Sequence, residues 1–221
     1  VDRLDALGAE LRQRYPITTH SIQADLADPA APEQIFAELA RRNLKLDALV
    51  NNAGYGVPGH YRRTQWADQA AFLQVMVTAV CHLTHLALPG MVERRFGRIL
   101  NVASLAGLVP GSAGHTLYGA AKAFMIKFSQ SLALETKGQG VHVTALCPGF
   151  TYSEFHDVTG TRQRVSQMPE FMWMTAEEVA RRGYAAVERG EVVHVTGSVN
   201  RSIARLAKVV PDRLALGLMA R

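Results

Sequence analysis

The sequence predicts an α/β protein, doubly wound around a parallel sheet and folded as a single domain over residues 1–221. Three short stretches, Leu46–Val50, Gly97–Val102 and Val141–Leu146, read as buried strands. The first is too apolar for a strand with one wet face, which marks a parallel sheet covered on both sides. The intervening stretches carry apolar residues at helical spacing, the alternation that lays helices over such a sheet. A length of 221 residues supports one sizeable core.

Composition narrows the function classes. Lys and Arg number 24 against 19 Asp and Glu, a net charge of +5 that is mild for this length. The basic residues are scattered apart from pairs such as Arg41-Arg42 and Arg181-Arg182, so no patch or module for nucleic acid is expected. Cys81 and Cys147 have neither disulfide nor metal-ligand spacing and read as reduced thiols, with no metal expected. No apolar run reaches the roughly 18 to 20 residues of a membrane span, and Val1–Glu10 lacks a signal-peptide core. The expectation is a cytoplasmic protein.

Taken in order, the chain opens on a helix already under way, with Leu4, Leu7 and Leu11 on one face. Tyr15-Pro16 ends it, and Ile17–Ala24 reads as a strand running into Asp25-Leu26. Asp28 and Pro29 support the start of a helix over Glu33–Arg42 with Ile35, Phe36, Leu39 and Ala40 inward. Thr64–Met91 is helical, with Thr64 as a candidate cap. Another helix runs from Tyr118 until Gly138 and Gly140 stop it, and its small residues Gly119-Ala120-Ala121 suit close packing against a partner helix. Thr175 and Glu178 form a capping box, and Glu191–Val195 is the last strand. Ile203, Leu206, Val210, Leu214 and Leu218 then make an apolar stripe among Arg201, Arg205, Lys208 and Arg213. Such a basic amphipathic tail, residues 200–221, is expected to pack on its own domain or a partner subunit rather than on an anionic membrane.

The chemistry-bearing residues stand at the carboxyl ends of the predicted strands. Asn51-Asn52-Ala53-Gly54 follows the first, where small residues let a backbone approach a ligand. Ser104 follows the second and Cys147-Pro148-Gly149 the third. Tyr118 and Lys122 lie four apart, one turn apart on one helical face. An ammonium beside a phenol favours the phenolate, so Tyr118 is a candidate acid/base and Lys122 its tuner. Each motif alone has a plainer reading: a surface Tyr–Lys pair, a turn serine, a glycine turn.

In this combination and order the chain resembles the short-chain dehydrogenase/reductase family from about Asp25 to Val195. The resemblance implies a Rossmann-like fold, NAD or NADP as cofactor, and hydride transfer between a nicotinamide and a carbonyl or secondary alcohol. It implies Ser104, Tyr118 and Lys122 as catalytic residues, Tyr118 and Lys122 also touching the cofactor. Asp25, Leu26, Asn51, Ala53, Gly54, Pro148, Gly149 and Thr151 are the further cofactor-binding candidates. From the local sequence Asp25 reads equally as a turn cap. The resemblance also implies a homo-oligomer, dimer or tetramer, and a substrate lid over 150–174. The aromatic and methionine residues of that lid, among them Phe150, Tyr152, Phe155, Phe171 and Trp173, suggest an apolar or bulky carbonyl or alcohol substrate.

Two departures stand out. Alignment on the flanking apolar residues puts Met76 where the family has an asparagine that holds a water linked to the lysine, and a thioether makes no such link; Thr78 or Gln74 could replace it, or Met76 is plain core. No glycine-rich strand-to-helix turn precedes Asp25, so a front strand-turn-helix is expected to be missing. The alternative reading is therefore a catalytically inactive scaffold or interaction protein of the same fold.

Overall fold

A computed structural model describes residues 2–155 and 168–219. The sheet has four parallel strands in the order β1 (Ala48–Asn51), β2 (Gly97–Val102), β3 (Val141–Cys147) and β6 (Val193–Val195). A second, two-stranded parallel sheet pairs β4 (Phe150–Tyr152) with β5 (Trp173–Thr175). The helices are α1 (Asp2–Arg14), α2 (Ala31–Arg41), α3 (Trp66–Leu73), α4 (Ala79–Glu93), α5 (Thr116–Glu135), α6 (Ala176–Glu188), α7 (Ser198–Leu206) and α8 (Asp212–Met219). The doubly wound α/β fold class is as the sequence predicts.

The core lies on the two faces of β2 and β3. On one face Ile99, Val141 and Val143 meet Ala87 and Met91 of α4 and Leu132 of α5. On the other Leu100 and Leu146 meet Val179 and Val187 of α6. Gly183 of α6 lies so close to Leu146 that a Cβ there would stand 2.6 Å from Cδ2. The capping box forms, with Thr175 Oγ1 accepting from Glu178 N at 3.2 Å.

Between α3 and α4 the helix widens into a π-helical turn at Gln74–Thr78, so Trp66–Glu93 is one continuous 28-residue rod. By length and composition this rod could cross a membrane, contrary to the expectation that no segment could. Its burial explains the composition instead: Phe72, Val75, Met76, Ala79, Val80, Leu83, Ala87 and Met91 all face the core. Thr64 is not its cap. Gln65 stands there, while Thr64 Oγ1 donates to Tyr61 O and accepts from Gln69 Nε2.

Other expectations are corrected on the β1 side. Ile17–Ala24 is not a strand, because a strand is defined by its ladder and no described residue pairs with it. Leu46–Val50 is not buried on both faces; β1 is the sheet edge, with Ala48 and Val50 exposed. On α1, Leu4 and Leu7 are exposed, and on α2 Ala40 points outward while Ile35, Phe36 and Leu39 are half-buried. In the carboxyl-terminal stripe, Leu206 and Leu214 are exposed and the contact to the body runs through Asn200, Ala204 and Ala215. Gly119 and Ala121 are used within the subunit: Gly119 packs on Ala106 O and Ala121 is buried.

Candidate active site

The carboxyl ends of β1, β2 and β3 open on one side of the sheet. Ser104 follows β2 and heads a single 3₁₀ turn, Leu105–Gly107, its Oγ accepting from Ala106 N at 3.1 Å. The same hydroxyl also hydrogen-bonds Tyr118. Leu105 N donates to Pro148 O at 2.8 Å, tying the turn to the end of β3. On its other side the turn lies flush on α5. A Cβ at Gly107 would fall 2.6 Å from Lys122 C and 2.8 Å from Lys122 O, both backbone. Only glycine permits that approach, and it is what brings Ser104 to the Tyr118–Lys122 turn of the helix. Gly107 was not singled out in the sequence, because a glycine in a Gly/Ala/Pro-rich loop gives no sign of which backbone it touches.

Lys122 is 5% exposed, and its Nζ donates to Val102 O at 2.6 Å. Burial pulls its pKa down to about 8, with nearby Cys147 opposing. Its Nζ sits 5.7 Å from the Tyr118 ring centroid, over the ring. The pKa of Tyr118 is raised, not lowered as the spacing predicts: burial is the larger influence, and a hydrogen bond from Ser104 works the other way. Desolvation disfavours the phenolate more than the neighbouring groups favour it. Cys147 is buried, its thiol pushed up to about 12 by burial, so it stays protonated and inert.

Behind the site a buried polar chain crosses the molecule. Asn51 Nδ2 donates to Asn101 Oδ1 (2.8 Å) and Thr84 Oγ1 (3.2 Å), Asn101 Nδ2 to Ser129 Oγ (2.8 Å), and Ser129 Oγ to Met125 O (2.8 Å). These bonds join β1, α4, β2 and α5, and they commit the Asn51 side chain to the interior, leaving only its backbone for a cofactor. Met76 is fully buried, with its Sδ 2.8 Å from where a Gly54 Cβ would stand. It fills the space behind that glycine as a core residue. Thr78 is exposed and does not replace the asparagine expected there.

The family model described as short chain dehydrogenase matches residues 1–164. The chain belongs to that family. Nodulation protein G of Rhizobium sp. (strain N33) is 34% identical over 208 residues, covering 90% of this chain and 83% of the relative. The 3-oxoacyl-(acyl-carrier-protein) reductase FabG of Aquifex aeolicus is 30% identical over 207 residues, again 90% and 83%. Among solved structures, a short-chain dehydrogenase from Sphingobium yanoikuyae in complex with NADPH is 30% identical with a TM-score of 0.80, covering 99% of this chain and 81% of that one. The bulky-bulky ketone specific alcohol dehydrogenase from Comamonas testosteroni is 27% identical with a TM-score of 0.75, covering 99% and 80%.

As a short-chain dehydrogenase the protein is an oxidoreductase whose cofactor is NAD or NADP. The residues at hand fit the nicotinamide and ribose end of such a molecule. The Lys122 ammonium has three donors, of which Val102 O takes one; the others suit ribose hydroxyls. Ala53 and Gly54 are exposed at the end of β1. Pro148, Gly149 and Thr151 are half-buried past β3, Thr151 Oγ1 donating to Gly149 O at 3.2 Å. Asp25 Oδ1 accepts from Ala27 N at 2.9 Å and so caps its turn, and half-buried Leu26 packs against the cluster of Phe72, Val75 and Met76. Of the lid, residues 156–167 lie outside those described.

Proposed function

We propose that this enzyme reduces the carbonyl of an apolar or bulky substrate to a secondary alcohol, and runs the reverse reaction, with Tyr118 as acid/base. The observation that carries the reading is Ser104 hydrogen-bonded to a protonated Tyr118, with a buried Lys122 beside them. Bound NAD(P)H supplies the hydride that reaches the carbonyl carbon. Ser104 holds the carbonyl oxygen by donating to it, stabilising the negative charge that develops there. Tyr118 then gives its Oη proton to that oxygen, completing the alcohol, and the Lys122 ammonium stabilises the phenolate left behind. A raised Tyr118 pKa keeps the proton in place at neutral pH, which suits the reductive direction.

An aromatic wall supports the substrate class. The Phe155 ring centroid lies 5.8 Å from that of Tyr118, and Trp173 stacks on Tyr152 at 4.7 Å and tilts on Phe150 at 5.4 Å. Phe155 lays apolar surface against Tyr118, and the other three rings cluster with one another past β3, apt for a substrate carrying hydrophobic groups.

A graded set of ketones, from acetone through acetophenone to diaryl ketones, tests this by following NADPH and NADH oxidation. The expected result is a kcat/KM that rises with the size of the apolar groups. Preference for small or polar carbonyls would overturn the substrate class.

A further inference from the structure

The turn after β3 is held from behind by a residue far along the chain. Asn200, on the first turn of α7, is 3% exposed, and its amide lies directly against the Cα of Gly149. A Cβ at 149 would stand 2.4 Å from Asn200 Nδ2 and 2.6 Å from Oδ1. The amide is oriented by Thr196, whose carbonyl can only accept and takes a hydrogen bond from Nδ2 at 2.8 Å. Thr196 N in turn donates to Cys147 O at 3.3 Å, closing the clasp onto the end of β3. Gly197, at φ 82°, makes the bend that swings Asn200 back over the strand end.

The Pro148–Gly149 turn is thus gripped on both sides, by Leu105 N from the Ser104 turn and by the Asn200 amide from α7. Asn200 Oδ1 and Thr196 Oγ1 have no hydrogen-bond partner among the described residues although both are buried. Leaving two polar atoms unpaired in a core is costly, and an apolar side chain could have filled the space. Thr196, Gly197 and Asn200 all lie past residue 164, where the family match ends.

We propose that Asn200 is a positioning residue for the cofactor: it sets the Pro148–Gly149 backbone that receives the nicotinamide end of the dinucleotide. This rests on the reading of that turn as cofactor-binding. Asn200 acts through Gly149, so the two residues are coupled, and its effect is confined to one end of the ligand.

The test is calorimetric binding of NADPH and NADH, and of the matching fragments without nicotinamide, 2′-phospho-ADP-ribose and ADP-ribose. The samples are the unaltered protein, Asn200→Ala, Gly149→Ala and the double variant, each checked by thermal unfolding. Asn200→Ala is expected to weaken the preferred dinucleotide roughly tenfold and its fragment less than about twofold, the size of one lost buried polar contact. Gly149→Ala is expected to weaken the dinucleotide too, and the double variant to recover part of the loss, since the methyl then occupies space the amide has left. Should Asn200→Ala not fold, Asn200→Asp takes its place, equal in shape but without the N–H for Thr196 O. Unchanged dinucleotide binding, or equal weakening of dinucleotide and fragment, overturns the proposal while leaving the cofactor turn intact. Failure of the unaltered protein to bind either dinucleotide overturns the reading beneath it.

Discussion

β1 and β2 are neighbours in register, Leu49 beside Ile99 and Val50 beside Leu100, yet Ile99 is fully buried while Val50 is 55% exposed. Both strands are apolar and both end in motif residues. The difference lies in what covers them. β2 has a strand on each side and helices above and below, whereas among the described residues β1 is paired on one side only. The 17–24 stretch and α2 border a hollow of about 310 Å³ between Ser21–Ala24 and Ile35, Glu38 and Arg42. The catalytic triad candidates all hang from the covered part of the sheet, so their positions are overdetermined. Asp25 belongs to the uncovered part and is fixed by its own turn.

Variants at the two ends should differ accordingly, beginning with the strongest. Lys122→Met is expected to lower turnover roughly 100-fold or more without lowering thermal stability at pH 7. The fold holds this proton less tightly than the unfolded chain does, about 8 against 10.5. The buried charge therefore burdens the fold fully below about pH 8, by roughly 3 kcal/mol before its hydrogen bond is counted. That burden fades as pH rises from about 8 to 10.5. Denaturant unfolding of both proteins across this range checks it: the advantage of the variant should shrink as pH rises. In the unaltered enzyme, reductive turnover should fall above about pH 8 as Lys122 loses its charge.

Gly107→Val comes next. Its side chain would have to displace the backbone of Lys122, costing about 1 to 3 kcal/mol of stability, and moving Ser104 away should cost about 100-fold in turnover. Ser129→Ala removes the partner of Asn101 Nδ2 in the buried chain and is expected to cost about 1 to 2 kcal/mol by chemical denaturation. Asp25→Ala should be mildest, about 0.5 to 1 kcal/mol for a lost turn bond. If Asp25 also contacts the dinucleotide, as the family resemblance implies, ADP-ribose binding will weaken by more than stability alone explains; unchanged binding leaves it a cap.

The same contrast explains what could be read from the sequence. β2, β3, α5 and the Thr175 cap were legible because their signals are local and their surroundings supply the packing the pattern implies. Ser104, Tyr118 and Lys122 were legible as a set through spacing and order. The edge status of β1 and the unpaired 17–24 stretch were not, because alternation and apolarity say that a residue suits a strand, not whether a neighbour is there to pair with it. Gly107 and Asn200 act by contact with backbone distant in sequence, on which spacing is silent. The direction of the Tyr118 pKa depended on how deeply the ring is buried, which i,i+4 geometry does not contain.

The most direct measurement is single-turnover hydride transfer by Tyr118→Phe beside the unaltered enzyme at pH 7, with dinucleotide binding measured on the same samples. The expected outcome is dinucleotide affinity within about twofold and a transfer rate lower by roughly 10² to 10⁴. A variant that binds the dinucleotide and transfers hydride at the full rate would contradict the assignment of Tyr118 as the proton donor.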